Sequence, residues 1–386
     1  MSHGSGGASS AELMRKIFTK HFDGEILGRF EDAAVVDIRH GDGSSVLLSP
    51  TLRTEEPSPC PVSASDRIAV STDTFVVTPL VFPGGDIGKL AVCGTVNDVL
   101  MSGALPRYLT CGFILETGLP TELLDNICAS LAEAAAEAGI VIIAGDTKVV
   151  EGRGEGGGLM INTTGIGVLK TKETKGDVPC VLLSNKTQGT SPFVSHLPSP
   201  SGIRPGDAII VSGNLGDHHA AILSARMGIK NNIKSDCAIL TPIVQGLQEA
   251  GVVIHAMRDV TRGGLATVLN ELAAASGVSI KLEEENIPVS PEVRAFCGIM
   301  GLDPLYMGNE GKVALAVAQE DVELALAVIR GVEIGRDAAF IGAATEHRVS
   351  QGDGSFGTTP VVLMRTRIGG TVRLDVLYGE GLPRIC

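Results

Sequence analysis

The sequence predicts an α/β (α+β) protein built from two consecutive mixed-sheet domains. Three observations carry this. At 386 residues the chain exceeds what one ordinary core organises, so two domains are the prior. Apolar strand-like runs alternate with segments whose apolar residues recur every three or four positions. That pattern breaks in a Ser-, Pro- and Thr-dense stretch near 170–205 and then restarts, as expected for two units of mixed strands and helices. The composition, 44% hydrophobic and 19% charged, supplies apolar material for two cores and excludes a disordered chain.

Taken in order, residues 1–40 hold a glycine-rich lead, His3-Gly4-Ser5-Gly6-Gly7, and a candidate amphipathic helix over 11–21. Residues 41–65 read as a loop. A β-branched run, 67–77, reads as a strand. Asp86 to Ser102 reads as a helix, with Ile87, Leu90, Gly94, Asp98 and Met101 near one face. A strand is expected over 108–115. Thr121 is placed as the cap of a helix over 122–138, which Gly139 stops. Strands over 140–144 and 159–169 complete the first unit. In the second, a strand at 208–212 runs through the turn Gly213–Asp217 into a helix. A helix over 241–250, a strand over 252–256, a helix over 265–275, a strand over 313–318 and a helix over 321–330 follow. Residues 351–370 read as a Gly- and Thr-rich loop. The domain map is therefore a lead and helix (1–40), a first domain (41–175), a linker with an inserted loop (176–205), a second α/β domain (206–370) and a mobile tail (371–386).

The balance of charge narrows the function. A formal charge of −13 makes nucleic acid a poor partner, because that affinity comes from Lys and Arg at phosphates. Aromatics at 3% and no Trp leave few surfaces for stacking bases. The eight cysteines include no C-x-x-C pair, which argues against a zinc site or a disulfide framework and for thiols in a reducing compartment. With no signal peptide and no apolar stretch long enough to span a bilayer, a soluble cytoplasmic protein is expected, without a membrane partner.

Nucleotide motifs in their usual form are missing. Gly84-Gly85-Asp86-Ile87-Gly88-Lys89-Leu90 imitates a P-loop, but it is one residue short and has Leu90 where a hydroxyl should meet magnesium. Three carboxylates stand in apolar surroundings: Asp73 inside a strand, Asp98 beside Asn97 in a helix, and Asp146 after a strand. Each alone reads equally well as a turn or cap residue. Together they suit a hard cation shared with phosphate oxygens. Arg262-Gly263-Gly264 at a helix start offers N–H groups and a guanidinium to an anion, or else Arg262 simply pairs with Asp259. Lys148 and Glu310, each beside glycines at strand ends, are surface ion-pair formers or proton-transfer groups. His3 reads either as a tag remnant or as part of a flexible lid over phosphate. The final residue is a thiol, Cys386, on a segment with Gly379, Gly381 and Pro383. From Tyr378 that segment reaches at most about 30 Å, at ~3.3 Å per residue.

In sequence order these segments resemble the HypE family, the carbamoyl dehydratases of nickel–iron hydrogenase maturation. That family lies in the superfamily of aminoimidazole ribonucleotide synthetase and selenophosphate synthetase. The resemblance is carried by the lead at 3–7, Ser71-Thr72-Asp73, Phe82 to Lys89, Asn97-Asp98-Val99, Ser102 to Tyr108, Gly145-Asp146-Thr147-Lys148, Leu215 to His218, Arg258 to Gly264, Asn309-Glu310-Gly311-Lys312 and the terminal Pro383-Arg384-Ile385-Cys386. The stretches near 41–65, 178–203 and 351–366 look longer than the family pattern and are read as extra surface loops.

The resemblance implies two α/β domains of the aminoimidazole ribonucleotide synthetase type, with the first domains of two chains pairing in a homodimer. It implies ATP and Mg2+ as cofactors. Asp73, Asp98 and Asp146 would hold the metal. His3, Gly4, Gly6, Gly7, Lys89, Asn97, Thr147, Arg262, Gly263 and Gly264 would contact ATP or its phosphates. Cys386 would carry a carboxamide that becomes a thiocyanate, with Glu310 and Lys148 removing protons and orienting the group. A carbamoyltransferase, HypF, would load the thiol, and a HypC–HypD iron complex would accept the cyanide. Two rivals remain: another ATP-using member of the superfamily, such as selenophosphate synthetase or thiamine-phosphate kinase, needing no terminal thiol; and a non-catalytic scaffold that docks a partner by its tail.

Overall fold

The computed structural model describes residues 33–37, 67–152, 157–169, 197–346, 349–350, 356–357 and 359–376. The glycine-rich lead, the helix expected over 11–21, most of the linker, and Cys386 with the nine residues before it lie outside the described residues.

The first half contains β1 (Ala34–Asp37), β2 (Arg67–Phe75), the short pair β3 (Val81–Phe82) and β4 (Gly85–Asp86), α1 (Ile87–Met101), β5 (Leu105–Glu116), α2 (Thr121–Glu137), β6 (Val141–Val150) and β7 (Leu159–Leu169). Five strands form one sheet in the order β1-β2-β7-β5-β6. Only β5 and β6 run parallel, because α2 returns the chain between them. Asp86 caps α1, its Oδ1 accepting from the N–H groups of Gly88 at 2.7 Å and Lys89 at 3.0 Å. The apparent P-loop is thus a capped helix entry. Thr121 does not cap α2: Pro120 takes that position without a side-chain hydrogen bond, its fixed φ leading straight into the helix.

The α1 helix is buried on nearly every side and lies against one face of the sheet. Glycines permit the close approach. A Cβ at Gly94 would fall 2.8 Å from the Phe75 ring, and one at Gly167 would fall 2.4 Å from a Val99 methyl.

The second half contains β8 (Ala208–Val211), α3 (Asp217–Met227), α4 (Thr241–Glu249), β9 (Ile254–Asp259), α5 (Gly264–Ser276), β10 (Ser279–Glu283), α6 (Pro291–Met300), β11 (Val313–Val317), α7 (Val322–Arg330), β12 (Ala339–Thr345), the pair β13 (Val349–Ser350) and β14 (Phe356–Gly357), β15 (Val362–Arg365) and β16 (Thr371–Leu374). Seven of these strands form a mixed sheet in the order β16-β15-β10-β12-β8-β11-β9.

Alternation sorts the core. Ala208 and Ile210 of β8, with Val313, Leu315 and Val317 of β11, face a cluster containing residues of α1, α4 and α7. Ile209 and Val211, with Ala314 and Ala316, face the opposite cluster under α5. The first cluster also takes in Phe75, Leu90, Ile127 and Leu131, so one continuous core joins the two halves.

Two sequence expectations are corrected here. The loop expected over 351–370 contains β15, which pairs with β10, and the tail expected from 371 begins as β16, which pairs with β15. Both segments are short: β15 gains its strand character from β10, distant in sequence, and β16 from β15 across a short turn. Of 197–205 in the expected linker, Ser199 and Gly202 already make backbone hydrogen bonds, Ser199 N–H donating to the His255 carbonyl at 3.0 Å. Among the described residues no helix is long and apolar enough to cross a membrane. Five cysteines, Cys93, Cys111, Cys128, Cys237 and Cys297, are free thiols.

Candidate active site

The carboxylates gather where the two halves meet. On β2, Ser71 and Asp73 point toward α1, as alternation requires. Ser71 Oγ donates to Asp98 Oδ2 at 2.8 Å, tying strand to helix. Asp73 Oδ1 lies 3.9 Å from Arg262 Nη2, at the entry to α5 in the other half. Burial raises the Asp73 pKa above the ordinary carboxylate value, against the opposing pulls of Arg262 and the Thr74 N–H. The guanidinium therefore turns to Asp73, and the simple Arg262–Asp259 pairing weighed from the sequence is not what its geometry records.

Glu310 faces the same junction. Burial pushes its pKa well above the ordinary value, and the charges of Cys237, Asp259, Asp73 and Asp236 add to the rise. Its segment is anchored from both sides. Asn309 is fully buried, its Oδ1 accepting the Gly216 N–H at 2.8 Å and its Nδ2 donating to the carbonyls of Val260 and Met307, both at 3.1 Å. The Glu310 N–H donates to Asp236 Oδ1 at 3.0 Å. Beside it Lys312 Nζ lies 3.1 Å from Asp236 Oδ2. Ser235, next in the loop, accepts the Cys237 N–H at 3.1 Å and meets His218 Nδ1 at 2.8 Å. Burial lowers the His218 pKa to about 4, so this imidazole stays neutral.

The other expected residues divide sharply. Asn97, expected to contact ATP, spends its side chain on main-chain groups of the other half. It is 2% exposed, and its side chain bridges the halves: Nδ2 donates to the Ala238 carbonyl at 3.0 Å, and Oδ1 accepts the Leu240 N–H at 2.9 Å. Gly264 has its N–H on the Thr261 carbonyl at 3.0 Å, and a Cβ there would fall 2.5 Å from the Leu305 carbonyl oxygen. Its glycine serves packing, and the anion role expected of that N–H is not available. Gly263, with φ of 81°, is the left-handed residue that starts α5. Lys89 sits in the first turn of α1, and its charge is felt at Cys237.

Asp146, Thr147 and Lys148 do not join this cluster within one chain. Register aligns Asp146 with Gly112, Gly112 with Asn162, and Asn162 with Thr74, so Asp146 projects to the face opposite Asp73. There Asp146 Oδ2 accepts from Lys148 Nζ at 2.6 Å, and that hydrogen bond is the main reason its pKa is lowered. Both side chains are about as open as surface groups, at 72% and 68%. Among the described residues no three His, Cys, Asp or Glu side chains stand in metal-ligand geometry. The expected trio of metal ligands thus separates into Asp73 and Asp98 at the junction and Asp146 on the far face.

What remains at the junction fits a cation bound with phosphate. It is rich in carboxylate oxygen, desolvated enough to raise two carboxylate pKa values, and flanked by Arg262. Asp236, Lys312 and Asn309 were not singled out as site residues from the sequence. A buried acid closing a polar loop just before the apolar run 237–240 was the available signal for Asp236.

Comparison with known proteins matches this architecture. Residues 30–169 match the AIR synthase related protein, N-terminal domain family, and residues 204–353 match its C-terminal domain family. Carbamoyl dehydratase HypE of Escherichia coli (strain K12) is 41% identical, covering 100% of this chain and 98% of that protein. The HypE of Cupriavidus necator is 42% identical, covering 100% and 94%. Among solved structures, hydrogenase maturation protein HypE in complex with ATP superposes with a TM-score of 0.71 at 42% identity, covering 100% of this chain and 98% of that one. A HypE–HypF complex gives 0.74 at 37% identity, covering 95% and 99%. AaThiL complexed with AMPPCP and TMP gives 0.58 at 18% identity over 92% and 93%, a likeness of fold alone. Two domain matches and full-length relatives above 30% identity lead to one conclusion: the chain belongs to the carbamoyl dehydratase HypE family of AIR synthase related proteins.

Proposed function

We propose that this protein dehydrates a carboxamide carried on Cys386 to a thiocyanate at the expense of ATP, supplying the cyanide ligand of hydrogenase iron. The observation that carries the reading is Glu310: a half-buried carboxyl at the junction of the halves, held by its main chain and pressed upward in pKa by desolvation first and then by Cys237, Asp259 and Asp73. In its ionised form it is a stronger base than a solvated carboxylate.

The chemistry needs such a group twice. Oxygen on an amide-like carbon leaves poorly as hydroxide. The carboxamide oxygen attacks the γ-phosphorus, an O–P bond forms, the bridging P–O bond breaks to give ADP, and one N–H proton departs. The C–O bond then breaks with phosphate as leaving group while the second N–H proton departs, leaving S–C≡N. Glu310 accepts a proton from nitrogen. Arg262, beside Asp73, stabilises negative charge on the transferred group. Bound magnesium would neutralise phosphate charge, and Asp73 and Asp98 are the residues of this chain that would hold it. His3, Gly4, Gly6 and Gly7 would cover the phosphates, and Lys89 and the Gly263 backbone would border them.

Asp146, Thr147 and Lys148 enter the reading only through pairing of two chains. A homodimer is supported by the open face of the first sheet. Tyr108, Ile114, Val141, Val150 and Val168 are exposed there, an apolar surface of the kind that marks an interface. In that assembly Lys148 would orient the carboxamide. Loading by HypF and delivery to a HypC–HypD complex complete the proposed cycle, in the cytoplasm. The relatives named HypE, one solved with ATP and one with HypF, support ATP and HypF as the ligand and partner.

Glu310→Gln and Lys148→Ala proteins, loaded with carboxamide and given ATP, should form thiocyanate at least tenfold more slowly, by the scale of about 1.4 kcal/mol per decade. Thiocyanate formation at the wild-type rate in Glu310→Gln would remove Glu310 from the mechanism.

A further inference from the structure

Glu310 is held by its main chain, and the group that holds it is a buried acid with no role in the reading above. Asp236 Oδ1 accepts the Glu310 N–H at 3.0 Å. Its other oxygen lies 3.1 Å from Lys312 Nζ, the two side chains being 5% and 8% exposed. Lys312 Nζ also donates to the Gly311 carbonyl at 3.2 Å. One carboxylate therefore touches the chain on both sides of Gly311, at Glu310 and at Lys312.

The approach is backbone to backbone. The Ala238 N–H donates to the Glu310 carbonyl at 3.3 Å, and a Cβ at Gly311 would fall 2.0 Å from the Asp236 carbonyl oxygen. Asn97, from the other half, reaches the Glu310 carbonyl with Nδ2 at 3.5 Å while its main contacts pin Ala238 and Leu240. An ion pair buried this deeply is a weak source of stability, since a matched apolar pair does as well or better. What an apolar pair cannot supply is an acceptor for the Glu310 N–H.

We propose that Asp236 is a positioning residue, which with Lys312 as its anchor fixes the Glu310 main chain and so aims the Glu310 carboxyl into the junction with Asp73. The proposal rests on Glu310 as the proton acceptor. Asp236 acts through Glu310 and touches neither substrate nor nucleotide.

The test compares two full-length double variants of equal charge. Asp236→Asn with Lys312→Met keeps an acceptor for the Glu310 N–H. Asp236→Ala with Lys312→Met removes it. Neither leaves a buried lysine unpaired, so both should fold. Single-turnover thiocyanate formation and the KM for ATP are measured on carboxamide-loaded protein, with Glu310→Gln alongside. The expected result is a kcat about tenfold lower in the Ala pair than in the Asn pair, the size of one charge-free hydrogen bond, with the KM for ATP equal in the two. Equal kcat in the two double variants, at whatever level, overturns the proposal. A Glu310→Gln protein with wild-type kcat overturns the underlying reading instead, so the two failures are distinct.

Discussion

Replacing Asn97 by Ala separates two roles that the same residue type could play. Were Asn97 a phosphate ligand, its loss would weaken ATP binding and leave the fold intact. Its geometry says otherwise. Asn97→Ala strips the acceptor from the Leu240 N–H at 2.9 Å and the donor from the Ala238 carbonyl at 3.0 Å, in a place where the side chain is 2% exposed. Each orphaned backbone group costs about 1–3 kcal/mol, so the pair amounts to about 2–6 kcal/mol. The longer contact to the Glu310 carbonyl, at 3.5 Å, adds little. Because these groups join α1 to the loop before α4, the loss should appear as a lowered denaturant midpoint. ATP affinity, measured under conditions where the variant stays folded, should remain within about threefold, below half a decade. A variant of unchanged stability whose ATP affinity fell tenfold would refute the bridging role and restore the phosphate role.

Other outcomes follow from the same structure. His218 has its folded pKa lowered from 6.5 to about 4 by burial, so its contribution is present above pH 6.5 and lost as pH falls toward 4. The loss is on the order of 3 kcal/mol, and His218→Gln should flatten the difference between denaturant titrations at pH ~7.5 and pH ~4.5; an unchanged slope would contradict it. Gly88→Ala puts a Cβ 2.4 Å from the Ile127 carbonyl oxygen, forcing α1 and α2 apart at a cost of about 1–3 kcal/mol, so a melting temperature equal to wild type would show the contact to be softer than described. Val141→Glu with Val150→Glu places charge on the open face of strand β6 at two exposed apolar positions and should shift sedimentation toward the monomer, whereas an undisturbed assembly would move the interface elsewhere.

How much was legible in the sequence depends on how local each cause is. The α1 and α2 helices and strands β2, β5 and β7 were readable because their periodicity lies within each segment. So was the restart of the pattern after the Ser- and Pro-rich stretch. Strands β10, β12, β15 and β16 and helix α6 were not. Ser279–Glu283 and Val362–Arg365 are short, and they become strands through pairing with each other and with β12 and β16. Asp73, Asp98 and Glu310 stood out as acids in apolar or glycine-rich settings, and the structure gathers them at the junction of the halves. Asn97 drew attention for the same reason and carries a different load, because a buried amide beside a carboxylate looks alike in sequence whether it meets phosphate or backbone. Asp146 was grouped with the others by its position after a strand. Its separation follows from β-strand alternation, which sets side-chain facing one residue at a time and needs the register to be known.

The proposed chemistry puts the group being dehydrated on Cys386, while ATP makes its oxygen a leaving group. Mass spectrometry of the C-terminal peptide tests it directly, on full-length protein loaded with carboxamide, before and after ATP. The expected result is a carboxamide on the Cys386 thiol, then loss of one water from that same peptide with one ADP formed, and neither step in Cys386→Ser. ATP cleavage without that water loss, or thiocyanate formed by the Cys386→Ser protein, would contradict it.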